Sequence, residues 1–360
     1  MRARITGLGE WVGERSRTNA DFPEEVVATW RARLAGEKQS QDATLVSMPE
    51  DVADRASLLG FMRDAEDPFV GAKHRFVADP STRATEAGAH AARAALEDAR
   101  LDAREVDVVI SWDAVPDRPG VPGAPKVAHL VGAHRAYALE IQVGCASTIV
   151  QLELALGLIE SGRARHVLCT QSHLAHRTFT PTTPISAHIG DVATAYLVGA
   201  SETSGVLATR ALSDGSYHDA VVFARGKDDE TDTPWWTAGP AFHFGTRDRV
   251  RAQEMMRETV RMGATTIGEA CERARIAPST IDVVASTHPR SWIPGAIAET
   301  LGLAPEKAVC TYERLAHVGG CGVISNLIEA RRRGLLREGA IVALYAQGLG
   351  FTRSAALLRW

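Results

Sequence analysis

Cys145 closes the strand-like run Tyr137-Ala-Leu-Glu-Ile-Gln-Val-Gly-Cys145, and within two residues the apolar stretch Ser147–Glu160 begins. The pattern predicts a strand stopping at Gly144 and a helix, apolar nearly all round, starting just past the thiol. The sulfur then sits at the helix's positive end, where unpaired N–H groups and the dipole favour thiolate over thiol. A nucleophile suits that position, and so does a buried cysteine at a strand–helix junction; on this spacing both readings stand. A thiolate nucleophile also needs a base or cation and an oxyanion site. Two of the 12 histidines stand in comparable turns. His288 follows the strand-like Asp282–Thr287 and precedes Pro289 and a helix-like Ile293–Leu301. His317 lies in Glu313-Arg-Leu-Ala-His-Val-Gly-Gly-Cys-Gly-Val323, a glycine-rich turn before another apolar helix. Both are loop positions at element ends, where site residues concentrate. His173, His176 and His188 offer a metal cluster as the alternative, but their spacing matches no helical H-x-x-x-H pair, and no metal is expected.

The elements that must hold these residues recur. Thr85–Arg100 is Ala-rich with an acidic start, a helix pattern. Glu105–Trp112 is a short β-branched run, the pattern of a strand covered on both faces. Pro116–Pro125 is proline- and glycine-rich and reads as loop. At an offset of 175, Glu97–Ser111 and Glu272–Ser286 share seven of fifteen residues, among them Glu97/Glu272, Arg100/Arg275 and Ser111/Ser286. A helix end followed by a buried strand, repeated half a chain apart, suggests two similar βα halves rather than a short-period solenoid. Shared composition of such junctions is the alternative. Residues 20–68 read as irregular helices, with a polar break over Gly36–Ala43. The stretch Lys227–Arg249, with Asp228-Asp-Glu-Thr-Asp-Thr-Pro-Trp-Trp236, reads as a loop anchored by its aromatics, a lid or partner surface being the second reading. Arg331–Arg333 reads as a helix end.

Composition narrows the classes. With 45% apolar and 23% charged residues, 360 residues can bury one large core or two ordinary ones. Forty Lys and Arg against 44 Asp and Glu leave a net charge of −4, without the excess positive charge that nucleic-acid binding needs. No apolar run approaches the ~20 residues of a membrane span, and the N-terminus lacks a secretory pattern, so a cytoplasmic protein is expected. The five cysteines, at 145, 169, 271, 310 and 321, contain no C-x-x-C pair and read as free thiols. Gly7-Leu-Gly9 continues to Gly13 with one residue too many for G-x-G-x-x-G, and neither a Walker A motif nor a G-x-S-x-G elbow is present.

The residues together resemble the thiolase-fold condensing enzymes, most closely the β-ketoacyl-ACP synthase III group. Glu140-Ile-Gln-Val-Gly-Cys-Ala-Ser147 is similar to that family's nucleophile segment. Ile189-Gly-Asp-Val-Ala-Thr-Ala-Tyr-Leu-Val198 resembles its Gly-Asp-Gly-Ala strand, and Arg337–Trp360 resembles its closing strands. The resemblance runs from about Gly71 to Trp360. It implies an α/β, five-layered αβαβα fold of two duplicated halves, 1–205 with the cysteine and 206–360 with the two histidines, and a homodimer. It also implies Cys145 as an acylated nucleophile, His288 as the first histidine, and an oxyanion hole from the N–H groups of Cys145 and Leu349. Arg177 matches an arginine that meets CoA phosphates. No permanent cofactor is implied. The donor is an acyl-CoA or acyl-phosphopantetheine thioester, with an acyl carrier protein as partner. Where the family has Gly-Asn-Thr-Ser, this chain has Ala316-His317-Val-Gly, a Cys-His-His set like that of elongating ketosynthases. Asn and neutral His both donate a hydrogen bond to an enolate or thioester oxygen, but only His accepts a proton. The expected activity is therefore acyl transfer from Cys145 to a hydroxyl or amine acceptor in polyketide-type metabolism, with decarboxylative condensation as the alternative.

Overall fold

Strands rich in Val, Ile and Ala alternate with helices that carry one apolar face, and the computed structural model describes residues 2–41, 48–179, 181–202, 205–225 and 242–360. Along the first part of the chain run β1 (Arg2–Val12), β2 (Arg15–Thr18), α1 (Glu24–Gln41), α2 (Val52–Asp64), β3 (His74–Val77), α3 (Ala84–Ala99), β4 (Val108–Asp113), α4 (Ala124–Val131), β5 (Tyr137–Glu140), α5 (Ser147–Glu160), β6 (His166–His173) and β7 (Val192–Ser201). There follow β8 (Val206–Ser213), β9 (Val222–Arg225), β10 (Phe242–Gly245), α6 (Arg249–Ala274), β11 (Val283–Ser286), α7 (Ile293–Thr300), β12 (Ala308–Val309), α8 (Tyr312–Leu315), α9 (Cys321–Arg332), β13 (Ile341–Gly348) and β14 (Thr352–Arg359).

The repeat seen in the sequence has a structural counterpart, residue for residue. Arg100 and Arg275, 175 positions apart in the sequence, both cap a helix in the left-handed region, with φ of 54° and 57°. A single 3₁₀ turn follows each, at Ala103–Glu105 and Pro278–Thr280, and then the buried strand, β4 or β11. Each of these strands sits second in a five-stranded sheet, in the orders β5-β4-β6-β7-β1 and β12-β11-β13-β14-β8. In both sheets the first two strand pairings are parallel and the last two antiparallel, so only the fourth strand runs against the other four.

Five layers follow from where the apolar side chains lie. Helices α5 and α9 each contact both sheets. Their Ile149, Leu152, Ala155, Ile159 and Val323, Ile324, Leu327, Ala330 form one buried cluster with strand residues of both sheets. Helices α3 and α4 cover the outer face of the first sheet, and α6 and α7 that of the second. Burial is less complete than the apolar pattern of α5 predicts, since Leu154 remains exposed.

Two local expectations are corrected. The polar break placed at Gly36–Ala43 is not a break up to residue 41, because α1 continues through Gln41. Glu37, Lys38 and Gln39 are good helix formers, and one interior glycine costs only ~1 kcal/mol. The loop placed at Lys227–Arg249 contains strand β10 paired antiparallel with β9. Residues 226–241, with the Trp235–Trp236 pair, lie outside the described residues. Among the described residues no helix is long and apolar enough to cross a membrane.

Candidate active site

Four chain segments converge where α5 and α9 begin. The first is the turn between β5 and α5, which carries Cys145. Gly144 holds this turn with φ +58°, and a Cβ there would lie 2.5 Å from the backbone N of Leu349, in the second segment, between β13 and β14. Gly348 is equally confined: a Cβ would lie 2.7 Å from the backbone N of Cys145 and 2.8 Å from that of Ala146. Only two glycines facing one another allow this backbone contact. The sequence-predicted oxyanion pair, Cys145 and Leu349, is therefore brought together.

The third segment is the turn before α9. Gly320 abuts the carbonyl of Cys145, and Thr148 donates through Oγ1 to the Gly320 carbonyl at 2.9 Å. His317 stands in the same turn, its backbone N–H bonded to the His188 carbonyl at 2.8 Å. The fourth segment follows β11 and carries His288, fully buried, its ring edge-to-face with Tyr312 at 5.8 Å. His317 and His288 are joined directly, Nδ1 of His317 lying 3.2 Å from the His288 carbonyl oxygen.

The electrostatics correct one expectation. Cys145 is half-buried, and desolvation of its thiol pushes it up to about 12. N–H groups of Gly320 and of Cys145 itself pull the other way. A helix N-terminus is worth ~0.3–1 kcal/mol, less than one pKa unit, so it loses to desolvation here. Desolvation therefore favours the neutral thiol over the thiolate. The imidazoles are neutral too: burial takes His288 down to about 4 and, with His173 and His288 nearby, takes His317 well below its ordinary value.

Tautomers follow from the partners. A carbonyl oxygen has no proton to give, so Nδ1 of His317 carries the hydrogen and Nε2 the lone pair. The same reasoning applies to His173, whose Nδ1 lies 3.0 Å from the Gly190 carbonyl. His173 is also 5.6 Å from His317 between ring centroids, edge-to-face.

Arg177 is not part of this cluster. It lies on a 3₁₀ turn, donates to the Thr82 carbonyl at 3.0 Å, and lines an open cleft of about 710 Å³ with Arg15, Arg17 and His176. None of Cys145, His288, His317 or Leu349 lines that cleft. The three histidines weighed as a metal cluster have separate partners: His173 faces His317, His176 lies 3.5 Å from Arg17, and His188 meets the Pro68 carbonyl at 2.8 Å.

Comparison with known proteins gives this arrangement a relative. Residues 139–215 match the family described as 3-oxoacyl-[acyl-carrier-protein] synthase III, and residues 271–360 match the description of its C-terminal part. A β-ketoacyl-[acyl-carrier-protein] synthase III of Sphingopyxis alaskensis is 30% identical over 339 residues, covering 92% of this chain and 99% of that protein. The chain belongs to the β-ketoacyl-ACP synthase III family. A synthase III of Paramagnetospirillum magneticum is 27% identical across 100% of this chain and 99% of that one. The fold agrees: the synthase III structure from Aquifex aeolicus superposes with a TM-score of 0.77 at 22% identity, covering 99% of this chain and 100% of that one. The priming β-ketosynthase of the R1128 polyketide pathway superposes with a TM-score of 0.77 at 19% identity, covering 99% and 96%.

Within this synthase III framework, sequence reasoning passed over the residues that hold the site. Gly322 lies so close under His288 that a Cβ would be 2.9 Å from its Nε2. Trp112 donates through Nε1 to Gln142 at 2.7 Å, tying β4 to the cysteine turn. Thr311 and Asn326 contact His288 or its neighbours. The only signal for Gly322 was the density of glycines after His317; Trp112, Thr311 and Asn326 carry no local one.

Proposed function

We propose that this synthase III-family enzyme forms an acyl-Cys145 thioester from an acyl-carrier-protein or acyl-CoA donor and passes the acyl group to a hydroxyl or amine acceptor. The observation that carries the reading is the 3.2 Å contact from His317 Nδ1 to the His288 carbonyl, which leaves Nε2 as a base. In the first half-reaction the Cys145 sulfur adds to the donor carbonyl and its proton passes to an imidazole lone pair. The oxyanion is held by the N–H groups of Cys145 and Leu349. The bond to the carrier sulfur breaks, and that sulfur leaves with the proton. In the second, the acceptor O–H or N–H attacks acyl-Cys145, its proton passes to His317 Nε2, and Cys145 departs and recovers that proton as a thiol. Arg177 takes the donor's phosphate in this reading.

Decarboxylative condensation with a malonyl thioester is the second reading, and the names of the relatives support it more directly. An enolate oxygen needs a hydrogen-bond donor, as an Asn amide is. His317 supplies one through Nε2 only if it gives up its bond to the His288 carbonyl or becomes charged, and burial opposes the charge.

Intact-protein mass spectrometry separates the readings. Incubation with a panel of acyl-CoA and acyl-carrier-protein thioesters should add the acyl mass to the native chain and not to Cys145→Ala. An alcohol or amine should discharge it, with malonyl thioester ineffective. His317→Asn should still acylate but transfer to the acceptor about 10²- to 10⁴-fold more slowly. Discharge by malonyl thioester with release of CO₂ makes the enzyme a ketosynthase, and no adduct with any donor removes the covalent scheme. Light scattering at twice the chain mass tests the implied homodimer; a monomer counts against it.

A further inference from the structure

The ring of His288 is held by a chain of hydrogen bonds whose polarity can be read from one end to the other. At the far end, Nδ2 of Asn326 donates to the Ser286 carbonyl at 2.9 Å, which fixes which way the amide points. Its Oδ1 therefore accepts, and it does so twice, from the Thr311 backbone N–H at 2.9 Å and from the Thr311 hydroxyl at 2.8 Å. With its hydrogen directed to Asn326, Thr311 Oγ1 can only accept from His288 Nε2, 3.1 Å away. Nε2 of His288 thus carries the proton. The lone pair stands on Nδ1, a buried atom with no hydrogen-bond partner among the described residues.

We infer that Thr311 and Asn326 are positioning residues that select the tautomer of His288 and leave Nδ1 as its proton-accepting atom. Their placement suits the task. Ser286 ends β11, Thr311 lies between β12 and α8, and Asn326 lies on α9, so the relay is anchored in three parts of the chain around one imidazole. Thr311 and Asn326 are buried, as is Ser286, to whose backbone the chain of bonds is tied. Water therefore cannot substitute for a missing partner, and deleting one leaves a buried polar group without a replacement. The absence of a side chain at Gly322 leaves the ring its place, since a Cβ there would lie 2.9 Å from Nε2. The consequence for catalysis rests on the acyl-transfer reading above; the tautomer does not.

The test reads the ring itself. Full-length protein labelled with ¹⁵N-histidine is recorded by long-range ¹H–¹⁵N correlation near neutral pH, with His288→Asn used to assign the signal. Native His288 should show the Nε2–H pattern, and Thr311→Ser, which keeps the hydroxyl, should retain it. Thr311→Val and Asn326→Leu should move the ring to the Nδ1–H form or to a mixture. The same two variants should slow acyl-Cys145 formation about three- to tenfold at unchanged KM for the donor, while Thr311→Ser stays within about twofold. An Nδ1–H pattern in the native protein, or a tautomer indifferent to Thr311→Val, overturns the inference. If Thr311→Val does not fold, the native tautomer still decides. A ring that responds as expected in a protein that no donor acylates leaves this inference standing and removes the proposed function instead.

Discussion

Residue by residue, the site is a cluster of uncharged groups. Burial raises the Cys145 thiol to about 12 and favours the neutral imidazole at His288 and His317. Reactivity toward an alkylating agent should therefore track the small thiolate fraction. Inactivation by iodoacetamide is expected to rise about tenfold per pH unit from pH 7 to 9, without levelling at the ordinary thiol value of about 8.5. A plateau in that interval would mean that the helix N-terminus wins after all. Mass mapping should find the label on Cys145 before Cys169, Cys271 and Cys321, which are buried. The identity of the nucleophile candidate was legible from its position between a strand and a helix. Its protonation state was not, because desolvation depends on atoms from segments far along the chain.

Among the elements, the glycines decide how closely the segments meet. Gly322 lies in the first turn of α9, directly against His288. Gly322→Ala should yield a folded protein destabilised by about 1–3 kcal/mol, as overpacked cores are, with acyl transfer reduced more than about tenfold because the imidazole is displaced. Gly268, inside α6 and half-buried, has open space for 4 Å around the place a Cβ would take. Gly268→Ala should raise stability by about 0.5–1 kcal/mol and leave acyl transfer unchanged. Thermal unfolding and the acylation assay on both variants check the pair; equal effects would contradict the packing argument. The strand–helix grammar was readable in β4, α5, β11 and α9, since their apolar periods are regular. Strand β10 was missed because four residues beyond an acidic stretch carry too short a pattern to separate strand from loop.

Across the whole molecule, buried histidines couple stability to pH. His173, His188 and His288 are pushed down to about 4, 3 and 4, all by burial, against about 6.5 in an unfolded chain. Between those values the unfolded chain binds protons that the folded one refuses. The stability they contribute is complete above about pH 6.5 and is lost as the pH falls towards 4. Asp113 and Asp191, raised to about 7 and 6 by burial, act in the opposite sense, losing their contribution as the pH rises from about 4. With His176 and His317 also depressed, the imidazoles prevail. The urea midpoint should be lower at pH 5 than at pH 7, and the difference smaller in His188→Gln, which retains a donor for the Pro68 carbonyl. Equal midpoints at the two pH values would refute this balance.

The duplicated βα halves were already written in the chain, through an apolar pattern and a seven-of-fifteen identity at one offset, and so was the placement of one thiol and two histidines at element ends. These are local properties, set by periodicity and by the glycines and prolines that stop each element. Folding in three dimensions was needed to assign the tautomers, the protonation of Cys145, the separation of Arg177 from the thiol and the Thr311–Asn326 support of His288. Each depends on partners remote in the chain, and neither hydrogen-bond direction nor desolvation can be assigned to a side chain before its neighbours are known.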